Sequence, residues 1–159
     1  MRCLLTLLPI LIFGCHSSPP VKKAQGAVTA APEVLVALER TACFGTCPIY
    51  EVAVLSDGTT RFKGERHVKV TEPVETKLEP AALEKLKAAF EKSGFEKWPD
   101  YTRTNVSDMP SVVLTYKGHT VRHNRGDEKA PPELSALEDE VDVLIGTERW
   151  VKGTGAETQ

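Results

Sequence analysis

The chain carries almost no surplus of one charge: 20 Lys and Arg stand against 22 Asp and Glu, and the formal net charge at pH 7 is −2. A nucleic-acid partner calls for a basic patch or stripe, and the sequence offers none. It also lacks an apolar run of the roughly 20 residues that a membrane-spanning helix needs. No Gly-x-Ser-x-Gly elbow, phosphate loop or His-Glu-x-x-His helix appears, so no enzyme class or cofactor announces itself. No segment repeats at a fixed period. With 159 residues, 41% hydrophobic and 26% charged, the composition suits one globular domain with a real core.

What is present begins with an address. Arg2 supplies a positive start, and Leu4 to Phe13 forms a short apolar stretch, as in a secretory leader. Ile12-Phe13-Gly14-Cys15 follows and resembles a bacterial lipobox. That resemblance implies lipidation of the Cys15 sulfur, cleavage after Gly14 and a membrane anchor. The leader is then residues 1–14. Residues 15–33 comprise the lipidated Cys15 and a tether rich in Pro, Ser, Gly and Ala. The expected location is the bacterial cell envelope, periplasm-facing or outer membrane; by analogy with enteric sorting rules, His16 rather than Asp after the lipidated cysteine favours the outer membrane.

The folded part is expected over residues 34–151, with a disordered tail at 152–159. Val34–Arg40 and Ile49–Ser56 read as strands, the second with Tyr50, Val52 and Val54 on one face. Ser56-Asp57-Gly58 is a hairpin turn leading to a third strand, Thr59–Lys63, which Gly64 is expected to break. His67–Val70 and Val74–Leu78 are further extended pieces, the latter an edge because of Pro73. Pro80 opens a helix with Leu83, Leu86 and Phe90 on one stripe and Gly94 as its stop. Phe95, Trp98 and Tyr101 sit in a loop as a core plug. Ser111–Tyr116 and His119–Asn124 form a second hairpin across Lys117-Gly118. A last helix from about Glu133 to Ile145 carries Leu134, Leu137, Val141, Leu144 and Ile145 inward. Its acids Glu133, Glu138, Asp139 and Glu140 are read as favourable charges near a helix start. Hairpins outnumber crossovers, so the expected class is α+β: a mostly antiparallel sheet of about five to six strands with two helices on one face.

Loss of Cys3 with the leader and lipidation of Cys15 leave Cys43 and Cys47 for each other. Residues four apart in a strand are about 13 Å apart, whereas bridgeable cysteines need Cα atoms within about 7 Å. A disulfide therefore demands a turn, for which Gly45 supplies freedom and Pro48 a rigid exit. An exported location favours oxidation. Two other chemistries stay open. Thiol–disulfide exchange would use the same pair, although the motif precedes a strand and not a helix. A metal site would need the two thiolates plus His67, His119 or His123. His119 and His123 are about 13 Å apart along one strand, too far to share an ion. They are expected to face solvent.

Cys43-Phe44-Gly45-Thr46-Cys47-Pro48-Ile49-Tyr50, then Asp57-Gly58, Gly64, the Leu83/Leu86/Phe90 helix and Asp108-x-Pro110, resemble an uncharacterised bacterial domain family of exported proteins and lipoproteins. The resemblance spans about residues 34–145. It implies a domain type and supplies no catalytic residues. The expectation is a lipid-anchored cell-envelope domain that binds an envelope protein or cell-wall component without catalysis. A thiol-redox or metal-handling protein using Cys43 and Cys47 is the alternative.

Overall fold

In a computed structural model, residues 31–105 and 108–153 are described. The expected leader, Cys15, the tether up to residue 30 and the tail from residue 154 lie outside them.

Alternating apolar residues make six strands: β1 (Val34–Arg40), β2 (Ile49–Leu55), β3 (Thr59–Arg66), β4 (Val74–Lys77), β5 (Ser111–Tyr116) and β6 (His119–Asn124). They form one sheet in the order β4-β3-β2-β1-β5-β6, antiparallel throughout. Two helices, α1 (Pro80–Ser93) and α2 (Pro132–Ile145), cover one face. Each begins with proline, whose missing N–H costs nothing in a first helical turn, and each ends at a left-handed glycine, Gly94 or Gly146. Strand positions of one parity point inward: Val36 and Leu38, Tyr50, Val52 and Val54, Val112 and Leu114 are all buried. They meet Leu83, Leu86 and Phe90 of α1 and Leu134, Leu137, Val141 and Ile145 of α2. The other parity, Ala37, Glu39, Glu51, Ala53, Lys63 and Thr115, lines the uncovered face. The α+β class, the antiparallel sheet and the two helices are thus as the sequence predicts.

Three local expectations fail for physical reasons. Gly64 does not break β3, which continues to Arg66. A Cβ at position 64 would collide with the Val70 carbonyl oxygen, so glycine admits a close backbone crossing. Residues 67–70 are not a strand. The Lys69 and Val70 amides instead donate to the Trp150 carbonyl, each at 3.0 Å, on a short helix α3 (Glu148–Val151). The loop expected after Gly94 contains a 3-10 turn, Phe95–Lys97. Its Phe95 is buried edge-on against Phe90, and the Trp98 ring lies 6.1 Å from Phe95, so the aromatic plug itself is present.

The two hairpin turns lie at the Val34 end of β1. Gly58 has φ 84°, and its amide donates to the Leu55 carbonyl. The Asp57 carboxylate accepts from the Thr59 amide and from Lys77 Nζ, both at 2.9 Å. Lys117-Gly118 turns with φ 49° and 83°, the paired left-handed values of a tight hairpin.

Candidate functional site

The opposite end of β1 holds the cysteine loop. Arg40 ends β1, Ile49 begins β2, and the chain between them closes on itself through a Cys43–Cys47 disulfide with Cα atoms 5.7 Å apart. That separation is the turn which the spacing demands. Other bonds fix the loop to the approach of β5. The Thr41 amide donates to the Ser111 carbonyl (3.0 Å), the Ser111 amide to Thr41 Oγ1 (2.9 Å), and the Phe44 amide to the Asp108 carbonyl (3.1 Å). The Phe44 ring takes no part in this packing and is 91% exposed.

Between the loop and the C-terminal end of α2 lies a cleft of about 460 Å³. Cys47, Pro48, Pro110, Val143 and Val151 line it together with the polar Thr41, Ser111, Glu148 and Lys152, and Arg40, Tyr50 and Asp142 lie at its base. The base is a charged cluster built by strand parity and helix spacing. Arg40 follows Val36 and Leu38 on the inward face of β1, so its guanidinium points under α2. Nε reaches Asp142 Oδ2 at 2.7 Å and the Tyr50 hydroxyl oxygen at 3.1 Å, and Nη2 reaches Asp139 Oδ1 at 3.0 Å. Asp142 Oδ1 accepts from the Tyr50 hydroxyl at 2.6 Å and from Thr147 Oγ1 at 2.7 Å.

Electrostatics follow from this wiring. Burial disfavours the Arg40 charge, but Asp142, Tyr50 and Asp139 outweigh it and hold the guanidinium pKa above its ordinary value. Burial, and then the Asp142 charge, push the Tyr50 phenol well above its usual 10. Tyr50 therefore remains a hydrogen-bond donor at neutral pH and is not a proton carrier there.

A second buried group adjoins the first. Glu138 is fully buried on α2, four residues before Asp142. Its Oε1 lies 2.8 Å from His123 Nδ1, and its Oε2 accepts from Arg125 Nη2 at 3.0 Å. Arg125 Nη2 also reaches Asp139 Oδ1 at 2.6 Å, which links the two groups. Arg125 Nε is buried without a protein partner. Two expectations are corrected here. Glu138 is not a surface acid serving the helix dipole, and neither histidine of β6 faces solvent: His123 is 2% exposed with a parity that carries it inward beside Val121, and His119, on the same face, is half-buried edge-on against Phe95.

Both oxygens of Asp142 and of Glu138 are engaged, so neither carboxylate is poised as a general base. The cluster ties β1, β2 and β6 to α2 and gives the cleft a fixed base. Among the described residues no group of three or more His, Cys, Asp and Glu is placed to hold a metal. The structure does not assemble the metal candidates: His123 is committed to Glu138, His119 Nε2 meets the Trp98 carbonyl at 3.1 Å, and His67 is exposed. Cys43 and Cys47 come together, with Cys47 on the cleft wall.

The residues whose buried partnerships sequence reasoning missed are Arg40, His123, Glu138 and Asp142. A signal for Glu138 existed: it falls on the stripe Leu134, Val141, Ile145 at helical spacing, where a charge needs a buried partner. No curated protein matches the chain. The chain belongs to the family described as a domain of unknown function, DUF6438, whose model matches it over residues 34–145.

Proposed function

We propose that this protein is a lipid-anchored domain of the bacterial cell envelope, held to a membrane through Cys15, which binds an envelope protein or cell-wall component without catalysing a reaction. The cleft beside the disulfide loop is its binding site. The observation that carries the reading is the contrast between the cleft's walls and its base. Two prolines, a cystine and two valines give the walls a stiff apolar part, beside the polar Thr41, Ser111, Glu148 and Lys152. The charged groups beneath them are paired with one another, apart from Arg125 Nε, which has no hydrogen-bond partner among the described residues. Such a site offers contact surface rather than a reacting group.

The anchor rests on the lipobox-like Ile12-Phe13-Gly14-Cys15 after the apolar Leu4–Phe13 stretch. Cys15→Ser should shift the protein from the membrane fraction to a soluble form or an uncleaved precursor. A Cys15→Ser variant that is processed and still sediments with membranes would sink the anchor. One observation favours thiol exchange as a second reading: Cys47 borders the cleft, within reach of a bound partner. The two readings differ in potential. A structural bridge has a reduction potential below about −300 mV, and an exchanging one is more oxidising.

A further inference from the structure

α1 and α2 pack side by side, and a groove of about 520 Å³ runs between them on their solvent side. Its floor is mostly small and apolar: Ala88 and Ala89 from α1, with Ala136, Leu137 and Leu144 from α2. Ser93 is the one uncharged polar residue of the lining, and its hydroxyl is engaged by the Phe90 carbonyl and the Phe95 amide. The two rims carry charge of opposite sign. Lys85 and Lys92 stand on the α1 rim, and Glu133 and Glu140 on the α2 rim. On each helix the spacing is seven residues, close to two turns and about 10.5 Å of rise. All four are exposed, and none makes an ion pair among the described residues. Their neighbours on α1 do: Lys87 meets Glu84, and Glu91 meets Lys117.

We infer that this groove is the contact surface of a homodimer, filled by a second copy of the chain related by a two-fold axis lying along the groove. The surface shares no residue with the cleft beside the disulfide loop, so the dimer goes beyond the binding reading without resting on it.

Charge selects the occupant and its orientation. Rotation about an axis along the groove lays α1 of one copy on α2 of the other, and by symmetry α2 on α1. Each basic rim then faces an acidic rim. Because both helices repeat their charges every seven residues, two Lys–Glu pairs can form on each side at once. An axis across the groove in the same plane would instead lay α1 on α1, with Lys85 and Lys92 set against their own copies. The sign pattern thus favours one face-to-face dimer and opposes the other. A nucleic acid or an anionic headgroup would suit the lysines but be repelled by Glu133 and Glu140. The alanines let the two helix layers approach closely, since interaxial distance follows the side chains at the contact. Each helix has 14 residues and is about 21 Å long. A face of this size gives a small interface, one in which charge matching decides whether the copies meet.

The test uses two full-length copies with different affinity tags, co-expressed and solubilised in mild detergent. One copy is captured and the other is measured. Wild type should capture wild type, and less of it in high salt. Lys85→Glu with Lys92→Glu makes both rims acidic; Glu133→Lys with Glu140→Lys makes both basic. Each double variant should capture its own kind at least about tenfold less than wild type does, because like charges then face each other at both contacts. Co-expressed, the two double variants should capture each other as wild type captures itself, since every acidic rim again meets a basic one. Copies carrying all four changes should also pair. Restoration by mixing reads the contact and not the fold, because a variant that fails to fold is not rescued by a partner of opposite sign. No capture between wild-type copies, capture that survives either reversal, or a loss that mixing does not restore overturns the inference.

Discussion

The two ends of the sheet are built on different principles. At the Val34 end, the turns themselves are closed by contacts short in sequence, beside a few longer ones such as the Lys117 amide to the Leu35 carbonyl. Asp57 holds Thr59, Gly58 takes a left-handed backbone, and Lys117-Gly118 closes the second hairpin in two residues. At the Arg40 end, contacts cross the chain. Arg40 bonds Asp142 over 102 positions, Tyr50 bonds Asp142 over 92, and Thr41 bonds Ser111 over 70. The first end is local turn chemistry. The second is held by buried charges and a cystine, and it carries three of the four exposed large apolar side chains. Long-range wiring at the exposed apolar end is what a binding surface needs, because a partner can rely on its geometry only if the fold fixes it.

The largest break in that comparison should come from Glu138. Its carboxylate is fully buried between His123 and Arg125. Glu138→Ala leaves a guanidinium and an imidazole facing a void. Removing one partner of a buried ion pair costs about 3–5 kcal/mol, a large part of a domain's stability of about 5–15 kcal/mol. Urea unfolding should show a midpoint far below wild type. A loss under about 1 kcal/mol would mean that the cluster is replaceable, as a surface ion pair is.

Next in size are two changes of similar magnitude, one at each end. Cys43→Ser with Cys47→Ser removes a short closed loop, for which chain entropy gives about 2 kcal/mol. The double variant should melt earlier and keep its fold, and wild type in reductant should melt with it. At the other end, Gly58→Ala forces a Cβ onto a φ of 84°, with the Leu78 carbonyl 3.3 Å from it. The cost is roughly 1–2 kcal/mol. On the proposed binding reading, affinity discriminates the two: the cystine variant should also lose affinity for a partner, and the Gly58 variant, equally unstable, should not. Equal loss in both would make the comparison one of stability alone.

This division also explains what could be read in the sequence. The turn at Asp57-Gly58, the hairpin at Lys117-Gly118, both main helices with their terminal glycines, and the need for a Cys43–Cys47 turn are all decided by residues within a few positions of each other. They were legible. The charged cluster was not, because each member looks ordinary in its own window. Arg40 ends a strand, Asp142 sits in an acidic helix, and His123 alternates with exposed Thr120 and Arg122. Only parity betrays them: Arg40 shares its face with Val36 and Leu38, His123 with Val121, and Glu138 its stripe with Leu134 and Val141. Gly64 was misread for a related reason. Glycine in a strand signals either a break or a close crossing, and the crossing segment lies in a part of the chain whose position depends on Trp150.

The smallest expected effect belongs to Asp57, and it sharpens the comparison through pH. Lys77, and then the Thr59 amide, hold its carboxylate down at about 2, against an ordinary 3.8. A folded-state value below the unfolded one means that the carboxylate stabilises the fold above about pH 4. That contribution fades as pH falls through the folded value near 2. Asp57→Asn retains an acceptor for the Thr59 amide but gives up the charge toward Lys77. The variant should therefore melt slightly below wild type at pH 6, and the gap should close between pH 4 and pH 2. Because Asp57 is at the surface, the gap should also shrink in high salt. A gap that is the same at pH 6 and pH 2 would show that the turn depends on side-chain shape and not on the charge of Asp57.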